Sequence, residues 1–127
     1  MTTSSYWFKI AEYDLETAEA MYKTKRYLYV GFMCHQCIEK MLKGIYVAIN
    51  NEAPPRIHNL ARLLEIIELD KNIPEDLLDF LLTLNPLNIA TRYPDYKFEL
   101  INEIDHDYAA ELISETRRLF EWLKAKL

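Results

Sequence analysis

Between Tyr29 and Asn50 the chain has no proline, and its apolar residues, Val30, Cys34, Cys37, Ile38, Met41, Leu42, Ile45 and Ile49, recur at three- and four-residue intervals. That period is helical, and a run of this length predicts one long amphipathic helix. Gln36, Glu39, Lys40 and Lys43 are spaced in the same way, so they stack on a second face. The apolar face must be buried against other helices of the chain, while the polar face is free to hold a partner, a phosphate or water. Gly31 and Gly44 lie inside the stretch, each costing about 1 kcal/mol relative to Ala, and are expected where another helix approaches closely, within the chain or in a dimer.

The flanking segments read as helices that supply this burial. Ser5 is the expected N-cap of a first helix to about Lys23, with Trp7, Ala11, Leu15, Ala18 and Tyr22 on its inner stripe. Asp14 stands beside that stripe, read as a border carboxylate that caps or pairs with a neighbouring helix, with a catalytic role as the lesser alternative. Lys23, Thr24, Lys25 and Arg26 mark a tight turn that sends the second helix back antiparallel. Pro54 and Pro55 force a loop, after which Asn59 caps a short helix carrying Leu60, Leu63, Leu64 and Ile67. Pro74, Glu75 and Asp76 open a fourth helix, whose Leu77, Leu78, Phe80, Leu81, Leu82 and Leu84 predict burial on more than one side, in part as an interface. Pro86 and Pro94 predict a mostly irregular span over residues 85–102, with a helical turn allowed over Leu87 to Thr91. A final helix starts near Asp105 to Asp107, with Ala109, Leu112, Ile113, Thr116, Leu119, Phe120 and Leu123 on one stripe. Nothing alternates as a strand does. The expectation is an all-α, antiparallel up-and-down bundle of four to five helices without a β-sheet, as one domain over residues 1–127.

With 15 basic and 20 acidic side chains the net charge is −5, so nucleic acid is repelled at long range and a coating-type binder is disfavoured. Met1 to Ser5 lack the basic and apolar regions of a signal peptide, and no apolar run approaches the roughly eighteen residues that cross a bilayer, which predicts a cytoplasmic protein off the membrane. Cys34 and Cys37 point the same way on one helix and read as reduced, buried thiols. With His35 they suggest a metal, but a closed zinc site needs about four ligands, and only His58 and His106 remain as distant candidates. No metal and no cofactor are expected. Phosphate-binding glycine loops and the common esterase and zinc-protease motifs are absent from the sequence. The strongest polar cluster is Thr91, Arg92, Tyr93, Pro94 and Asp95, read as a loop in which Arg92 pairs with Asp95 or, alternatively, as a functional site.

In order along the chain these segments resemble the HEPN domain, a small all-helical module often found beside a minimal nucleotidyltransferase. The resemblance rests on Ala11, Asp14, Leu15 and Ala18 in helix one, and on Tyr29, Phe32, Gln36, Glu39, Lys40, Leu42 and Lys43 in helix two. Pro54, Pro55, His58 and Leu60 follow, then Arg92, Tyr93, Pro94 and Asp95. It covers essentially the whole chain. It implies a dimerising helical bundle with polar residues at a cleft between subunits, and many such domains are ribonucleases whose site is an Arg followed by four to six residues and a His. This sequence departs from that pattern: eight residues separate Arg26 from His35, one separates Arg56 from His58, and thirteen separate Arg92 from His106.

The resemblance therefore implies a homodimeric partner of a small nucleotidyltransferase in a two-component, toxin-antitoxin-like system, without the usual ribonuclease pair. Two alternatives stand beside it. One is a metal-independent ribonuclease centred on Arg92, with Asp95 and His58, in which His58 supplies the base. The other is a nucleotide-binding regulator in which Lys40, Lys43 and Arg92 meet phosphates. The candidate contacts for nucleotide, RNA or partner are Gln36, Glu39, Lys40, Lys43, His58, Arg92, Tyr93 and Asp95.

Overall fold

In the computed structural model, residues 2–90 and 92–127 are described; Thr91, the first residue of the Arg92 cluster, lies outside them. Seven helical segments and no strand are present among the described residues: α1 (Ser4–Lys23), α2 (Tyr27–Asn50), α3 (Leu60–Ile66), α4 (Glu75–Leu84), α5 (Leu87–Ala90), α6 (Pro94–Glu103) and α7 (His106–Lys124). The expected all-α bundle is the fold, with short helices added to its long ones.

α1 and α2 form the antiparallel hairpin, turned by Lys25 in the left-handed region at φ 63°. Thr3, not Ser5, caps α1, because the extended backbone at Thr3 lets its side chain accept the Tyr6 N–H. Ala11, Leu15 and Ala18 are buried as expected, and Trp7 and Tyr22 are half-buried. α2 packs against all six other helices. Gly31 and Gly44 serve that packing within the chain: a Cβ on Gly44 would stand 2.5 Å from Phe8 Cε1, and one on Gly31 3.0 Å from Leu87 Cδ1.

The other end of α2 corrects the sequence reading. Ile49 is 63% exposed, since the last turn of the helix runs past the elements that cover the rest. Asn59 caps α3 by accepting the Arg62 N–H, as expected. Pro74 is the cap residue of α4 and not its first helical residue. Leu77, Leu81 and Leu84 of α4 are buried, but Leu82 is 48% exposed, so the helix is covered less completely than its leucines predict.

The largest correction falls on residues 85–102, which are mostly helical and not irregular. Pro94 stands at the start of α6, where a missing N–H has no intrahelical partner to lose. Tyr93 before it is extended, at φ −114° and ψ 127°, the backbone that a cap position needs. α7 begins after Asp105, which accepts the Tyr108 N–H, and its whole predicted stripe from Ala109 to Leu123 is buried.

Candidate functional site

The polar stripe of α2 is covered in part: Gln36 and Lys40 are half-buried, and Glu39 and Lys43 are buried. Glu39 is 3% exposed and Lys43 is 7% exposed, since all six other helices pack against α2, while Tyr29, Ala48, Ile49 and Asn50 of the same helix stay exposed. Lys43 Nζ donates to Glu39 Oε2 at 3.1 Å. His58, arriving on the loop before α3, places Nδ1 3.1 Å from both oxygens of the same carboxylate. Facing a carboxylate, Nδ1 carries a proton, and Nε2 is left on the outer side of the ring.

One turn away, Lys40 Nζ donates to Asp14 Oδ2 and to Gln36 Oε1, each at 3.2 Å. An ammonium only donates, so the Gln36 amide is fixed with its nitrogen outward, and Gln36 Nε2 donates to Asn88 Oδ1 at 3.2 Å. Asp14 is thus the pairing carboxylate expected of it. Burial pushes its carboxyl up, against the lowering effect of Lys40.

His35 and Asn88, neither of them among the sequence candidates, complete the arrangement. His35 is fully buried with Nδ1 3.8 Å from Glu39 Oε1, and its Nε2 makes no well-formed hydrogen bond among the described residues, although the His58 backbone lies beside the ring. Burial holds the His35 imidazole down to about 4, so it is neutral at physiological pH. The Arg92 guanidinium is close enough to oppose a charge on His35, which ties the α5–α6 connection to the site. Tyr93 and Asp95 stay on the surface, and no ion pair joins Arg92 to Asp95 among the described residues, so the predicted pairing of these two is not formed.

Of the sequence candidates, the fold therefore gathers Gln36, Glu39, Lys40, Lys43 and His58, with Arg92 nearby, and leaves Tyr93 and Asp95 outside. His35 adjoins Gln36 in the sequence, but nothing there announces its burial beside Glu39, and Asn88 carries no signal either. His106, which follows Arg92 in the sequence, is held elsewhere by Tyr22 Oη at 2.7 Å, with its ring tilted against Tyr22 and edge-on to Tyr27. Cys34 and Cys37 are fully buried, and burial pushes the Cys34 thiol up to about 12.

A family model described as the HEPN domain matches residues 4–126. The chain belongs to the HEPN family. Two solved structures share its fold. The first is TT1696 from Thermus thermophilus, with a TM-score of 0.85 and 24% identity over 100% of both chains. The second is ST0689, described as an archaeal HEPN homologue, with a TM-score of 0.76 and 28% identity over 99% of this chain and 98% of that one. No curated protein matches. This HEPN chain carries Glu39 and Lys43 inward on α2, and among its described residues no helix is long and apolar enough to cross a membrane.

Proposed function

We propose that this HEPN chain acts by binding, as a single-domain, cytoplasmic homodimer whose partner is a small nucleotidyltransferase in a two-component system of toxin-antitoxin type. The observation that carries this reading is the internal commitment of the α2 cations: Lys40 to Asp14 and Lys43 to Glu39. A nucleotide-binding regulator needs those ammonium groups directed at phosphates, and here their charge is already neutralised within the fold. The net charge of −5 weighs in the same direction against an extended RNA track. Exposed Tyr93 and Ile101 on or beside α6, and Leu82 on α4, supply apolar contact for a protein instead. Light scattering of the purified chain, alone and after co-expression with the product of the neighbouring reading frame, which this reading expects to be a small nucleotidyltransferase, tests the reading. A dimer that forms a discrete complex is expected; a clean monomer at micromolar concentration, or no complex, overturns it.

A ribonuclease with a non-standard site is the second reading, favoured by the His58–Glu39 contact, which orients an imidazole as a proton acceptor requires. Its signature is cleavage of total RNA in EDTA that disappears in both Arg92→Ala and His58→Ala. No cleavage by the native protein removes it.

A further inference from the structure

We propose that the hollow between the first turns of α1 and the last turns of α7 binds an aliphatic carboxylate of medium chain length, with its chain on an apolar floor and its head group toward Lys9 and Lys124. The hollow has a volume of about 320 Å³ and reaches inward to Met41 of α2, which is fully buried.

Floor and rim differ in chemistry. Met41, Phe120 and the half-buried Phe8 form the floor, so an occupant meets a thioether and two aromatic rings. The unbranched side chain of Met41 adapts to a flexible hydrocarbon. A volume near the lower end of the roughly 300–1,000 Å³ of small-molecule sites admits a short amphiphile and not a full-length lipid. Lys9 and Glu12 of α1 and Lys124 of α7 stand at the rim, all three exposed. Lys124 Nζ lies 6.0 Å from the centroid of the Phe120 ring, so its ammonium leans over the floor.

Charge selects the head group. Lys40 and Lys43 are committed to Asp14 and Glu39, but neither Lys9 nor Lys124 forms an ion pair among the described residues. The wider hollow between α4 and α7 also carries cations, yet there Arg117 is paired with Glu19, and Arg118 with Asp76 and Glu115. Two uncommitted ammonium groups thus face one acidic side chain, Glu12, on a protein of net charge −5. The head group they favour is an anion, and donors on two walls give each oxygen of a carboxylate its own partner. The apolar floor places that anion at the end of a hydrocarbon chain, because a polar body there would lose its water without gaining hydrogen bonds. The inference is independent of the partner reading.

The test is thermal unfolding of the full chain with octanoate, octanol or octylammonium at matched ionic strength, together with ¹H–¹³C spectra of the Met41 methyl group. Octanoate is expected to raise Tm and shift the Met41 resonance, octanol to bind about fivefold more weakly, and octylammonium to do neither. Lys9→Gln combined with Lys124→Gln alters exposed side chains only, so this variant should melt close to the native Tm while its affinity for octanoate falls to that for octanol. Glu12→Gln removes the opposing charge and should tighten octanoate binding by about twofold. A Met41 resonance that octanoate leaves in place, an equal response to octanol or octylammonium, unchanged affinity in the double variant, or no tightening in Glu12→Gln overturns the assignment.

Discussion

Lys43 Nζ lies 3.1 Å from Glu39 Oε2 with both side chains almost wholly out of solvent, so a full ion pair sits inside the bundle. Such a pair is tolerated because each charge satisfies the other, with His58 Nδ1 also on the carboxylate.

Removing one partner leaves an uncompensated buried charge. Lys43→Ala is expected to cost roughly 3–5 kcal/mol in chemical denaturation, whereas Lys43→Met combined with Glu39→Gln should recover a large part of that loss. Equal destabilisation by the single and double variants would show that packing, not charge, accounts for the effect.

Gly44→Ala pits helix propensity against space. Its Cβ would stand 2.5 Å and 2.8 Å from Phe8 ring atoms and 3.0 Å from Trp7 Cβ, across the α1–α2 contact. A net loss of about 1–3 kcal/mol is expected despite the better helix former. In a Phe8→Ala background the penalty should shrink, and a thermal melt of the four proteins reads the coupling.

Stability should fall as acid is added well before the carboxylates titrate. His35 is held at about 4 in the fold against an ordinary 6.5, so between those values the unfolded chain binds the proton that the folded one refuses. Its contribution is complete above the ordinary value and lost as pH drops toward 4, amounting to roughly 3 kcal/mol at most. Asp14, pushed up by burial against the lowering effect of Lys40, acts in the opposite sense. Urea midpoints from pH 7 to pH 4 should slope downward with acid, and His35→Gln should flatten that slope.

Neither cysteine should react in the native state. Both are fully buried and burial raises both thiols, Cys34 to about 12. Alkylation near pH 8 should therefore proceed only through opening of the bundle, and both thiols should label at once in denaturant. Rapid native labelling at either position would contradict the packing of α2.

How far the sequence disclosed this follows from what each residue type encodes. The α7 stripe was legible entire because period and burial coincide there: every residue from Ala109 to Leu123 expected inside is inside. Pro94 misled because the same restriction on Tyr93 serves the start of a helix as well as its end, and only the chain beyond decides between them. The spacing of Gln36, Glu39, Lys40 and Lys43 correctly put them on one face but said nothing about what covers that face, since coverage depends on the partners of α2 and not on α2 itself. Asn88 joins Gln36 from fifty-two residues away, a pairing set by topology that no local pattern announces.

α2 ends at Asn50 and nevertheless touches every later helix of the chain. During synthesis the hairpin that contains it emerges ahead of α3 to α7, so each of these meets a packing surface already made by the time it leaves the ribosome. Assembly can then follow the order of translation, with the interior polar pairs closing as their second halves arrive.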